Sequence, residues 1–509
     1  MKKRPNVLLL VTDQHNYKVS GFMGDEKACT PNIDKIASDG IVFERSYCQS
    51  PVCTASRASF LTGKYVSEIG CWNNHWPIFP EHKTIAHLMA DSGYETCLVG
   101  KMHFGGKDQY QGFMHRPYGD LKHGLGHQSD PIDFFPTFPG VREAGISEIP
   151  ESIQQETVVA VESAAFVENH VSNNPDKPWF LCSSFTKPHA PFAVPARYFN
   201  KYIDKIKSPG LKEIDQAASH PYIRNEVVNY GLDEVTKEQE DKAVAAYYAC
   251  MEYVDDCIGL LLWRLEKAGQ LDNTIIVYTT DHGEMLSNHG LWGKANYYEE
   301  SLRVPFVISG PDIPKGIRSD ELVGLIDLLP TICDYTEVNT PNNIDGMSLR
   351  PVIENRIESG GFRDYIITEY YGMASLTGPY ITGKKGDSMR AICTRNGKYV
   401  NVHKYDNLYF DHLTDPDEIK NEINNPVLKD EIKRLSNILD TTFSWDKTIE
   451  SINRDRQRYN ENFRSGLRTS TPNQYVLEDG RMFDAEASLY SVRWNPVDVR
   501  KGFIPQRYF

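Results

Sequence analysis

The chain has 509 residues, too long for one compact unit, and its 40% apolar and 24% charged residues are those of a globular protein that buries a large core unaided. Net charge is −14 and no run of Lys or Arg forms a phosphate-tracking stripe, which excludes nucleic acid as a partner. No stretch approaches the ~20 apolar residues of a membrane span, which excludes a membrane-spanning helix.

In chain order, the opening MKKRPNVLLLVTDQ sets basic residues before an apolar run. Val7–Val11 is shorter than the roughly 7–15 apolar residues of a secretory leader, and no small-residue cleavage site follows. We therefore read Val7–Thr12 as a buried first strand. Ten cysteines without close metal-type pairing point to a reduced, cytoplasmic chain, although a leader removed beforehand would place it in the periplasm. Glu95–Val99, Trp179–Phe185 and Thr274–Thr280 are likewise short, apolar and rich in β-branched or aromatic residues. Between the last two, Val244, Tyr247, Met251, Val254, Ile258, Leu261 and Leu265 recur at helical spacing until Gly269. Strands alternating with helices predict a large doubly wound, mixed or parallel α/β sheet flanked by helices, over residues 1–385.

From about Met389 the texture changes. Arg390–Thr394 and Lys398–His403 flank Asn396-Gly397, a hairpin signal, and Ile432, Leu435 and Leu439 mark an amphipathic helix. This predicts a smaller C-terminal subdomain over 386–444, an antiparallel sheet with a helix. The extension 445–509 has weak periodicity. It either covers the main domain and its active site or reaches a second subunit in a homo-oligomer.

In a doubly wound sheet, ligands sit beyond the carboxyl ends of the strands. The first strand ends in Asp13-Gln14 and the strand at 274–280 ends in Asp281-His282. Carboxylates, an amide oxygen and an imidazole converging there suit Ca²⁺, Mg²⁺ or Mn²⁺, and two crowded acids would repel without a cation between them. Cys53 lies near a helix start with Arg57 one turn on, and both favour a thiolate or a bound anion. Gly100-Lys101-Met102-His103 and Lys187-Pro188-His189 follow two other strands, and Lys294 follows the second acidic pair. Together they form a cationic pocket in an acidic protein, as a small tetrahedral anion requires. The residues alone thus lead to a metal-assisted hydrolase of sulfate or phosphate esters.

The stretch CTASR resembles the type I sulfatase signature Cys-x-Pro/Ala-x-Arg of the alkaline-phosphatase-like superfamily. GKMH, KPHAPF, TTDHGE, HGLWGK and LYFDHLTDPDEIKN recur in that family's order, over about residues 4–425. Asp13-Gln14 with Asp281-His282 is similar to the branch of choline sulfatases and phosphonate monoester hydrolases, and GKMHFGGKDQ leans to the choline-sulfatase side. The resemblance implies a small sulfated substrate and a maturation enzyme that oxidises Cys53 to formylglycine. It implies one divalent metal, Ca²⁺ favoured over Mn²⁺ or Mg²⁺, held by Asp13, Gln14, Asp281, His282 and residue 53. It further implies that Asp281 helps deprotonate the nucleophile, that His189 protonates the leaving alcohol, and that His103 takes the proton whose loss expels sulfate. Lys101 and Lys294 would bind sulfate oxygens, joined by His189 and Asn74, while Arg57 orients formylglycine. Ala55 stands where the aerobic maturation system usually meets proline. The alternatives are a phosphonate monoester or phosphodiester hydrolase with the same centre, against which Lys101 and His103 speak, and a non-catalytic anion binder with Cys53 left a thiol.

Overall fold

A run as apolar as Val7–Val11 has no polar face to offer solvent, and in the computed structural model it is the buried heart of the strand Asn6–Asp13. The structure describes residues 3–105, 108–119, 139–209, 220–358, 360–376, 386–462, 474–476 and 482–484. Asn6–Asp13 lies between Trp179–Pro188 and Thr274–Thr280 and is parallel to both. The full sheet has eight strands, in the order Ile317–Gly324, Gly40–Tyr47, Phe306–Ser309, Thr274–Thr280, Asn6–Asp13, Trp179–Pro188, Glu95–Gly100 and His115–Tyr118. Phe306–Ser309 runs antiparallel to both neighbours, so the sheet is mixed. Its four central parallel strands all deliver their carboxyl ends to one edge.

Two groups of helices flank the sheet. Gln155–Asn173 and Pro31–Ser38 pack on Lys237–Lys267, while Cys53–Thr62, Ile85–Asp91 and Leu328–Tyr335 pack on one another. Lys237–Lys267 opens with a capping box, Thr236 and Gln239 exchanging side-chain and backbone hydrogen bonds. Gly269, at φ 66°, closes it where the periodicity ends, with Gln270 N reaching Leu265 O at 3.0 Å.

The smaller sheet joins Ile366–Tyr371, Ser388–Cys393, Gly397–Val402 and Leu408–Asp411 in sequential antiparallel order. Its first strand lies ahead of the expected start at 386. Every residue of Ile366–Tyr371 is buried, so the strand lacks the polar alternation by which a sequence reveals one. The pleat sends Ile367, Ile392, Tyr399 and Tyr409 toward Leu435 and Leu439 of the helix Lys429–Thr442. Ala391, Val400, Leu408 and Phe410 face the main core instead. The helix Trp445–Asn462 then folds back on the body: Trp72 Nε1 donates to Asp455 Oδ2 at 2.9 Å, and Trp445 Nε1 donates to Asn401 Oδ1 at 2.7 Å. Most of the extension beyond 462 lies outside the described residues. No helix among the described residues is long and apolar enough to cross a membrane.

Candidate active site

Parallel pairing sets the geometry. Thr12 is level with Thr280 and Gly100 with Ser184, so Asp13, Asp281, Lys101 and Lys187 emerge side by side at one edge. Gly100 adopts φ 94°, and a Cβ there would sit 2.1 Å from Ser184 O, so only glycine lets the chain turn and present Lys101. Lys101 Nζ lies 2.6 Å from Asp13 Oδ2. Lys187 turns away, its Nζ donating to Pro191 O, while His189 stays at the site with Nε2 3.9 Å from Asp13 Oδ1.

Cys53 is the first residue of the helix Cys53–Thr62, whose N-cap Val52 offers no side-chain acceptor. The positive end of the helix is thereby directed at the buried sulfur. Sγ is 3.2 Å from His282 Nε2, 3.3 Å from Lys294 Nζ, 3.9 Å from Asp13 Oδ1 and 4.0 Å from Lys101 Nζ. His103, at φ 55°, also hydrogen-bonds to it. Burial alone would raise the thiol, but Lys101, Lys294, His282 and the His103 hydrogen bond hold it well below the usual cysteine range. Residue 53 therefore sits where negative charge is stabilised.

One ligand atom each from Asp13, Cys53, Asp281 and His282 lies within 4.8 Å of the others. Gln14 Oε1 accepts from Lys294 Nζ at 2.5 Å, the same ammonium that lies 3.3 Å from Cys53 Sγ. This oxygen-rich set with one imidazole fits a hard divalent cation. Burial and Cys53 push Asp13 up, yet Lys101, His189 and Arg57 together hold it below the usual carboxylate range. Burial, with the charge of Asp13 beside it, raises Asp281 despite Arg57. His189 is lowered to about 4 by burial and by the charges of Lys101 and Lys294. Its Nδ1 lies 2.6 Å from Ala190 O, a partner that can only accept, which leaves Nε2 for the site.

Two residues make contacts that the sequence alone does not specify. Arg57 spends its hydrogen bonds on Asp13, Asp281, Ser184 Oγ and Lys101 O, because from one turn down the helix its fork reaches beneath residue 53 to the carboxylates. Asn74 stands at the start of the helix Cys53–Thr62, Oδ1 accepting from Thr54 N at 3.0 Å. Sequence reasoning also passed over Tyr247 and Glu284. Tyr247, read only as a core position, donates to Gln14 O at 2.6 Å. Glu284 accepts from Gln14 Nε2, and its presence in TTDHGE was the available signal.

The sulfatase family profile matches residues 5–338, and the profile for the C-terminal part of N-sulphoglucosamine sulphohydrolase matches 287–444. The chain is 30% identical over 474 residues to an arylsulfatase of Clostridium perfringens, covering 86% of this chain and 94% of that one. It is 30% identical over 440 residues to the choline-sulfatase of Rhizobium meliloti, covering 83% of each. The phosphonate monoester hydrolase of Agrobacterium radiobacter shares the fold, with a TM-score of 0.72 at 24% identity over 86% of this chain and 95% of that one. A protein solved with its substrate D-glucosamine-2-N,6-O-disulfate shares it too, at 0.69 and 24%, over 92% of this chain and 100% of that one. A profile that spans both acidic strand ends and the Cys53 helix, with full-length relatives on either side, settles the assignment: this chain belongs to the sulfatase family and is a sulfuric ester hydrolase.

Proposed function

We propose that Cys53, converted to formylglycine by a maturation enzyme, is the nucleophile of this sulfatase. Asp13, Gln14, Asp281 and His282 would hold one divalent cation beside it, Ca²⁺ in preference to Mn²⁺ or Mg²⁺ because three of these four side chains offer oxygen. The observation that carries the reading is the placement of Cys53 at a helix start, 3.3 Å from Lys294 and within 4.8 Å of a cation-ready donor set. Formylglycine supplies a hydrated aldehyde as nucleophile, and the cation supplies positive charge to it and to the sulfate oxygens.

The chain's own groups do the rest. Lys101 and Lys294 flank residue 53 and receive the ester's sulfate oxygens, where charge grows as sulfur is attacked. Arg57 keeps the two carboxylates aligned without touching substrate. His189 turns Nε2 to the site and donates a proton to the departing oxygen. In the substrate-free protein burial, and then the charges of Lys101 and Lys294, depress its proton affinity; an anionic ester seated on the lysines would offset their share and favour the protonated ring that donates to the leaving group. His103 reaches residue 53 from another loop and accepts the proton whose loss releases sulfate.

The substrate is a small sulfate monoester of a choline-type, sugar or aryl alcohol, the classes named by the relatives. None of the ten cysteines forms a disulfide and nine of them are buried, which supports a reducing, cytoplasmic setting. The helix Trp445–Asn462 of the extension packs on the body, and the expected homo-oligomer contact through the extension falls mostly on residues beyond 462, outside those described. Mass analysis of the tryptic peptide holding Cys53, together with sulfate released from a panel of such esters, tests the proposal. Full turnover with an unmodified thiol would overturn it.

A further inference from the structure

We propose that Glu284 is a positioning residue that locks the side-chain amide of Gln14 with its oxygen toward the cation site. This rests on the reading of Gln14 as a cation ligand. An amide has two ends of nearly the same shape, and only its hydrogen-bond partners decide which faces where. The Gln14 backbone is already fixed: N donates to Asp281 Oδ1 at 3.1 Å, O accepts from Tyr247, and φ is 67°. Only the orientation of the amide is left to choose.

Glu284 makes the choice. Its Oε1 accepts from Leu286 N at 2.9 Å and Gly293 N at 2.6 Å, and its Oε2 accepts from Gln14 Nε2. The two backbone partners can only donate, so Glu284 Oε1 is an acceptor; the Lys294 ammonium can only donate to the other end of the Gln14 amide, so that end is Gln14 Oε1 and the buried Glu284 Oε2 meets the Nε2 donor. The amide nitrogen must face Glu284, and Oε1 must face Lys294 and the site. A flipped amide would set oxygen against carboxylate and –NH₂ against a cation.

The same carboxylate organises the loop that carries Lys294. Leu286, Ser287, His289, Gly290, Gly293 and Ala295 all adopt positive φ, a run that persists only where its surroundings determine it. Met285 N to Gly293 O at 2.8 Å and Ser287 N to Leu291 O at 2.9 Å close the loop, with Glu284 Oε1 inside it. One side chain thus sets both neighbours of the cation position on this side. It also explains why a glutamine can stand at position 14. A carboxylate there would need no orienting partner and would repel Glu284, so the two residues form a matched pair.

The test is a double-mutant cycle on the full chain with Glu284→Gln, Gln14→Glu and the exchange double variant. Isothermal titration with Ca²⁺ alone, after chelator treatment, gives the affinity. Melting temperature in chelator reads the hydrogen bond itself. Glu284→Gln can keep its backbone contacts through Oε1 but lets the Gln14 amide turn over, so Ca²⁺ affinity should fall roughly 10–100-fold. Gln14→Glu, with two facing acids, should lower the melting temperature. The double variant, an amide donating to a carboxylate, should recover affinity to within a few-fold of wild type and restore the melting temperature. Wild-type Ca²⁺ affinity in Glu284→Gln, or effects that simply add in the double variant, would overturn the proposal. A wild-type chain that binds no Ca²⁺, Mn²⁺ or Mg²⁺ would bring down the cation reading separately, and coupling in the melting cycle would still support the lock.

Discussion

Asp13 and Asp281 end neighbouring parallel strands and share one guanidinium. Arg57 Nη2 donates to Asp13 Oδ2 and Arg57 Nε to Asp281 Oδ2, both at 2.8 Å, with all three side chains fully buried. Two carboxylates this deep repel unless cations lie between and beside them. Arg57→Met should therefore lower stability by about 3–5 kcal/mol, the usual cost of stranding a buried charge. Arg57→Lys should retain more stability but still lose activity, since an ammonium cannot bridge two carboxylates as the planar fork does. Denaturant melts and initial rates on both variants check this, and Arg57→Met as stable as the parent would refute it.

Cys53→Ala should leave the fold and melting temperature close to the parent's, because the residue opens a helix that depends on its flanks, while turnover disappears. Conversion of the parent thiol to aldehyde should appear as a loss of about 18 Da in the peptide. Cys53→Ser should be inactive unless the host's maturation system accepts serine.

His103 and His189 approach residue 53 from loops after different strands, so their losses should separate by leaving group. His189→Ala should slow an alkyl sulfate by about 10²–10⁴-fold and spare a nitrophenyl sulfate, whose phenolate leaves without a proton. His103→Ala should slow both by similar factors. The opposite pattern would exchange the two roles.

Glu226 gives a pH test away from the site. Burial, then the charge of Asp387, raises its carboxyl from an ordinary 4.5 to about 8. Between those values the unfolded chain sheds a proton that the folded chain keeps, so stability falls as pH rises through that window. At about 1.4 kcal/mol per unit, the penalty is on the order of 3–5 kcal/mol at pH 8. Glu226→Gln should melt higher than the parent at pH 8 and near it at pH 4.5; equal differences at both pH values would rule the titration out.

Lys398 is a buried cation between Glu299 Oε1 at 3.1 Å and Glu418 Oε1 at 2.6 Å, with His412 Nε2 2.8 Å from the same Glu418 oxygen. Glu299 follows the Lys294 loop and Lys398 lies in the smaller sheet, so this network joins the two sheets' neighbourhoods. The Glu299, His412 and Glu418 cluster has the spacing of a cation site, but the ammonium of Lys398 already serves its acids. Lys398→Met should cost about 3–5 kcal/mol and broaden the melt, a result that a surface ion pair would not produce.

The sequence by itself determined the local facts. Val7–Thr12 and Thr274–Thr280 were legible as strands because continuous apolar, β-branched runs report burial on both faces without knowledge of neighbours. The acidic pairs at their ends, CTASR and GKMH were legible because strand-end position and residue type are both written along the chain. Tertiary structure alone decided the rest. Gly40–Tyr47, Phe306–Ser309 and Ile317–Gly324 took their places, one of them antiparallel, through long-range pairing that no local pattern encodes. It also decided that Arg57 clamps carboxylates, that Glu284 faces the Gln14 amide, and that Lys398 meets Glu299 and Glu418. Each of these depends on which atoms meet across the fold. In a close-packed interior that is set by all the surrounding side chains at once rather than by neighbours in sequence.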